Sequence, residues 1–134
     1  MNVIEQQFEK VETSVADLWL DSDNTIQIRF KPTTKHGLEE AKEVVKIHNA
    51  LTAGVARPVL ADIRLVTVGA NRDARNYYVS EEASRYKLCM AMLVNSPMQR
   101  MLGNLFMFLN RPPYPTRLFV RSNECTEWLK RFAK

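Results

Sequence analysis

Leu88-Cys89-Met90-Ala91-Met92-Leu93-Val94 is an uninterrupted apolar run, and after Asn95 it meets Ser96-Pro97-Met98-Gln99. The run reads as a strand covered on both faces. The next four residues read as a helix start, with Ser96 as cap, Pro97 at the first helical position and Gln99 three residues past the cap. The helix is expected to reach about residue 109. A strand passing straight into a helix is half of a strand–helix–strand unit, and the pattern recurs on both sides. Upstream, Val59-Leu60-Ala61-Asp62-Ile63 is a second apolar strand. A helix is expected over residues 71–79, then a short one capped by Ser80 with Glu81 and Glu82 in its first turn. Downstream, Pro112, Pro113 and Pro115 keep the chain extended, residues 116–120 form the last strand, and Ser122 is expected to cap a final helix to about residue 132.

The first third alternates with period two. Val15, Asp17 and Trp19 fall on one side of a strand, Ala16, Leu18 and Leu20 on the other. Ile26, Ile28 and Phe30 share a face, with Gln27 and Arg29 opposite. Asp21-Ser22-Asp23-Asn24 supplies turn residues between them, so a hairpin is expected, with a further edge strand over residues 8–12. A helix follows over residues 34–53, with Leu38, Ala41, Val44, Val45, His48 and Leu51 on one face and Gly54 as its stop. This order implies an α/β fold with right-handed crossovers. Its sheet is mostly parallel, with an N-terminal antiparallel hairpin and helices packed against it. With no linker or repeat, residues 1–134 are expected to form a single domain.

Composition narrows the function classes. The chain is 46% hydrophobic and 25% charged, which excludes disorder as the main state. No apolar run approaches the ~20 residues of a membrane-spanning helix. Residues 1–10 carry Glu5 and Glu9 and no apolar block, so no signal peptide is expected and the chain reads as cytoplasmic. Cys89 and Cys125 then read as thiols. The net charge of +4 divides into −3 over residues 1–56 and +7 over residues 57–134. The arginines of the basic half fall singly, so the surface reads as solvated and no nucleic-acid partner is expected.

Candidate chemistry lies in the loops after the strand C-termini. Asp62, Arg64, Arg72, Ser96 and Arg100 are the candidates for an anion or ligand site, since helix N-termini attract negative charge. Capping alone also explains Ser96 and Ser122. His36, at a helix start, is expected to be exposed, and His48, on the apolar stripe, to be satisfied. Neither fits a metal-ligand spacing. There is no Gly-x-Ser-x-Gly elbow and no glycine-rich phosphate loop, the glycines standing alone at 37, 54, 69 and 103. Neither enzymatic activity nor a cofactor or metal is expected.

The helix from Ser96 is apolar most of the way round, so it is expected to be covered on two sides. Met98, Met101 or Leu102, Leu105 and Leu109 form the stripe expected to pack on the sheet. Met107 and Phe108, with Tyr114 in the adjoining loop, are then the interface candidates. A homodimer contact, a fold-back of the proline loop and a pocket for an apolar small molecule are the alternatives for the second cover.

Residues 94–106, Asn110-Arg111-Pro112, Pro115-Thr116-Arg117-Leu118-Phe119 and Glu124-Cys125-Thr126-Glu127-Trp128-Leu129 together resemble the second half of bacterial SpoIIAA-like proteins, small domains of the STAS/SEC14 type. Val59 to Arg64 resembles their central strand, which ends in Asp. The resemblance covers about residues 15–132. It implies a STAS-like binding or regulatory domain, expected here as a homodimer. On the SEC14 side it implies a carrier or sensor of a lipid or other apolar molecule. The anti-sigma-factor antagonists of this group switch by phosphorylation of a Ser in an Asp-Ser-Ser/Thr-Gly turn. Here that turn reads Val68-Gly69-Ala70-Asn71-Arg72-Asp73, so no such phosphorylation is expected, and Thr67 is the nearest hydroxyl.

Overall fold

The computed structural model describes residues 9–132. Six strands lie side by side in chain order: β1 (Val11–Glu12), β2 (Ala16–Leu20), β3 (Ile26–Phe30), β4 (Arg57–Asp62), β5 (Lys87–Leu93) and β6 (Thr116–Phe119). The first two pairings are antiparallel and the other three parallel. This is the expected α/β fold. The β2–β3 hairpin places Leu18 opposite Ile28. Asp21 ties its turn: Oδ1 accepts from Asp23 N at 2.9 Å and Thr25 N at 3.0 Å, and Oδ2 accepts from Gln27 Nε2 at 2.9 Å. β1 is the far end of the edge strand expected over residues 8–12, of which Phe8 lies outside the described residues.

The helices are α1 (Leu38–Thr52), α2 (Arg72–Tyr78), α3 (Glu81–Ser84), α4 (Pro97–Asn110) and α5 (Ser122–Leu129). α1 starts later than its sequence suggests because Gly37 N donates to Glu40 Oε1 at 2.8 Å, setting the N-terminus there. Ala53 and Gly54, both at positive φ, end it. Asn71, Ser80 and Ser96 cap α2, α3 and α4 through side-chain oxygens. Ser122 does not cap. It is the first residue of α5, Arg121 holds the cap position without a side-chain bond, and the helix stops at Leu129.

Right-handed crossovers between strands laid down in order put α1, α2 and α4 on one face of the sheet. α5 follows the last strand and covers the other face. There Cys125 and Leu129 pack with Leu60, Cys89, Ala91, Leu93 and Phe119. Burial pushes the Cys125 thiol up to about 11, which makes it a packing residue rather than a reactive one. On the first face Val44 of α1 packs with Val15, Leu18, Ile26, Ile28 and Val59. Between the two layers β4 is buried from Pro58 through Asp62.

α4 departs from expectation. The stripe assigned to the sheet points to solvent instead: Met98, Met101, Leu102, Leu105 and Leu109 are 50–68% exposed. Phe108 is exposed as expected, at 69%, while Met107 is half-buried. The helix turns its Gln99, Gly103 and Phe106 side inward. A Cβ on Gly103 would lie 2.5 Å from Leu118 Cδ2, so the absent side chain lets α4 settle on β6. Gln99 Nε2 donates to Ile63 O at 3.0 Å and holds the first turn over the β4 loop. Hydropathy counts neither contact. The proline loop leaves the outer face open, and Tyr114 is buried within its own chain, so its assignment to a subunit interface is corrected.

Leu60, 7% exposed, tests the two-layer cover of β4. Leu60→Asp strands a charge between Cys89, Leu93 and α5 and is expected to cost about 3 kcal/mol or more. Thermal melting by circular dichroism checks it, and an unchanged transition would contradict the layer arrangement.

Candidate functional site

The sheet face under α1, α2 and α4 does not close completely. It encloses a cavity of about 240 Å3. Ile28, Phe30, Ala61, Met90, Met92 and Phe106 are among the apolar residues that line it. The lining residues Thr67, Gly69 and Leu102 are also exposed, which puts the mouth between the loop after β4 and α4. Lys87, His48 and Tyr114 lie at the other end, near the start of β5 and β6.

Lys87 reaches this face through a β-bulge. Strict alternation from Met90 and Met92 would send residue 87 to the α5 side. The β4–β5 register pairs Arg57 with Lys87 but Pro58 with Cys89, so Leu88 is the extra residue. The bulge turns Lys87 back onto the face of Val59 and Met90, as bulges beside sites do. The side chain is 8% exposed, and its Nζ donates to Ala83 O at the end of α3. No carboxylate lies within ion-pair distance of it among the described residues. Burial lowers its ammonium pKa to about 7.

His48 is fully buried rather than satisfied. Its Nδ1–H donates to Asn49 Oδ1 at 2.8 Å, and Asn49 Nδ2 in turn donates to Glu82 O at 3.2 Å. Its Nε2 has no hydrogen-bond partner among the described residues. Burial first, and the charge of Lys87 second, lower its pKa to about 3, so it is neutral at physiological pH. His36 is buried rather than exposed. Its Nε2 shares a 2.6 Å hydrogen bond with Tyr78 Oη, and its ring stacks against Phe30 with centroids 5.6 Å apart. Burial lowers the His36 pKa and raises that of Tyr78.

The candidates read from the loops do not converge. Asp62 faces away from the cavity, toward Arg29 and Arg64. Arg64 grips it with Nε to Oδ1 at 3.0 Å and Nη2 to Oδ2 at 2.8 Å. Burial pushes the Asp62 carboxyl up, but the bonds and charge from Arg64 outweigh it and hold it below its ordinary value. Ser96 accepts from Gln99 N at 3.1 Å as a cap. Arg72 and Arg100 are exposed and join neither Asp62 nor each other. Thr67 does meet the cavity, at its mouth, together with Val66, Gly69 and Ala70 of the same loop. Among the described residues no group of three or more His, Cys, Asp or Glu is placed to hold a metal, and no helix is long and apolar enough to cross a membrane.

The cavity residues left few signals in the sequence. His48 was visible as the polar member of an apolar helix stripe. Lys87 looks like the boundary of the apolar run that follows it, and no local pattern marks the bulge.

Comparison with known proteins is consistent with this architecture. The family model described as "Domain of unknown function (DUF7793)" matches residues 18–133. A crystal structure of an uncharacterised protein from Shewanella loihica PV-4, of the DUF3478 family with a SpoIIAA-like fold, superposes with a TM-score of 0.62. The two are 13% identical, and the match covers 89% of this chain and 98% of that one, which establishes the SpoIIAA-like fold. A protein of unknown function from Arthrobacter sp. FB24 is 22% identical over 84% of this chain and 97% of its own, but its TM-score of 0.30 carries no structural argument. No curated protein matches the chain.

The buried Lys87 sets a pH dependence with a definite sign. Its pKa is about 7 in the folded protein against 10.5 for the free group, so between these values the unfolded chain binds more protons. Stability is therefore expected to rise with pH above 7, by roughly 1–2 kcal/mol between pH 7 and 8.5. In Lys87→Met the rise disappears. Urea unfolding of both proteins across this window checks it, and parallel curves would contradict the burial of a charge.

Proposed function

The chain belongs to the DUF7793 family of domains of unknown function, and on that premise we propose that it is a non-catalytic binding module whose cavity takes up a small apolar molecule, as a carrier or sensor. The cavity carries this reading. Protein interiors pack densely, and an apolar-lined opening of about 240 Å3 is more space than close packing leaves between sheet and helices. An engineered apolar cavity of ~150 Å3 already binds benzene. A larger one with a mouth and a polar end has the form of a ligand site. His36 and Tyr78 are engaged with each other at 2.6 Å and Lys87 with Ala83 O, which supports a binding reading over a catalytic one.

Ala61→Leu extends a side chain from β4 into this space. It is expected to abolish uptake of apolar molecules while leaving the melting temperature within a few degrees of wild type. Native mass spectrometry with octanoate and 1-octanol as probes reads the uptake. Equal uptake by wild type and variant would refute the reading.

A second reading concerns the outer face of α4 and commits to another copy of this chain. Met98, Met101, Leu105 and Phe108 follow the 3-4-3 spacing of a helix–helix seam, flanked by Leu102 and Leu109. Within α4 only Arg100 is charged. These six side chains expose on the order of 600 Å2, at the top of the ~300–600 Å2 that monomers leave bare and near the ~800 Å2 each partner contributes to a standard interface. A two-fold axis would lay the seam on itself and repeat each contact. Phe108 and the half-buried Met107 remain the interface candidates, now joined by Met101 and Leu105.

Wild type is expected to sediment as a dimer at micromolar concentration, and Phe108→Glu as a monomer with an unchanged circular dichroism spectrum, because Phe108 is exposed within the subunit. A monomeric wild type would overturn this second reading.

A further inference from the structure

We infer that the cavity's ligand is a small amphiphile with a carboxylate head that pairs with the Lys87 ammonium at the inner end, its apolar body lying between Met90, Met92 and Phe106. The inference rests on the cavity being a ligand site and names what that site selects.

The inner end of the cavity holds a buried cation without a counter-charge among the described residues. Lys87 is carried into an apolar wall by a dedicated bulge, and its amine meets a single carbonyl, that of Ala83. The groups that share its end of the cavity bring no negative charge. His48 is neutral, Tyr114 keeps its proton because burial raises its pKa, and among the described residues no Asp or Glu lines the cavity. Arg57, opposite Lys87 in the β4–β5 register, is a second cation, and its Nε donates to Thr52 O at 3.2 Å. A buried cation is stable when it is paired or when it sheds its proton. In the unfilled cavity Lys87 is poised to shed it. An anion entering from the mouth supplies the pairing, and a single unpaired amine matches a monoanion. A carboxylate fits this requirement and accepts the charge-assisted bond that Nζ still offers.

Size limits the body of the ligand. If ~150 Å3 holds benzene, the cavity of about 240 Å3 holds on the order of ten heavy atoms. A medium-chain or aryl-alkyl acid meets this limit with its tail between the methionines, whose flexible thioethers adapt to either shape. The head lies deep and the tail toward Leu102 at the mouth.

Titration calorimetry of the full chain at pH 7 with octanoate and with 1-octanol tests the assignment, since the two probes share a tail and differ in charge. Wild type is expected to bind octanoate at least about tenfold more tightly, the ratio that one charge-assisted hydrogen bond contributes. Lys87→Met is expected to abolish the preference, bringing the affinities for octanoate and 1-octanol to the same level. Lys87→Gln, which keeps a donor without the charge, is expected to behave like Lys87→Met. Equal binding of the two probes by wild type, or a preference that survives both substitutions, would overturn the carboxylate assignment and leave the cavity as a site for neutral molecules. Failure of wild type to bind either probe would overturn this inference together with the ligand-site reading. If neither variant folds, the wild-type ratio decides.

Discussion

The hand of the strand–helix–strand crossover governs this molecule. Each parallel connection must be right-handed, and here the parallel strands are added in one direction without reversal. All the connecting helices are therefore forced onto one face. α1 covers the hairpin and β4, and α4 covers β6, leaving the short α2 and α3 to bridge β4 and β5. Seven- and four-residue helices cannot tile that gap, and the cavity is the volume they leave. The opposite face receives α5, whose Cys125 and Leu129 close a dry core with no such opening.

Within that gap the polar groups are placed by backbone devices rather than by element periodicity. The Leu88 bulge sets Lys87 among methionines. The Asn49 amide, held by Glu82 O, fixes the His48 tautomer and leaves the other ring nitrogen bare. Tyr78 anchors His36, which fixes the chain entering α1 against the cavity wall. Local strain and unsatisfied polar atoms are costly, and a fold retains them where a ligand can complete them.

α4 links the two proposed activities. Gly103 and Phe106 roof the cavity, while Met101, Leu105 and Phe108 present the outer seam less than one turn away. The helix makes few contacts with the body apart from β6 and α2.

The sequence by itself determined the order and type of nearly every element, because those rest on local signals. Apolar runs, period-two alternation, cap residues at Ser80 and Ser96, and prolines after α4 act within a few residues. That order implied a mostly parallel α/β sheet with right-handed crossovers, and the SpoIIAA-like fold followed from the resemblance of about residues 15–132 to that family. The tertiary structure alone decided which side of α4 faces inward. Periodicity identifies an apolar stripe but not its direction, and here a glycine against Leu118 and a glutamine on a loop carbonyl outweighed six large side chains. It alone decided the site as well. Lys87, His48, His36, Tyr78 and Tyr114 come from separate segments, and one of them changes face by a single inserted residue. Asp62 and Arg64, which looked like part of a site in the loops, pair with each other because the end of β4 turns Asp62 away from the cavity, while Arg72 on α2 and Arg100 on α4 are exposed.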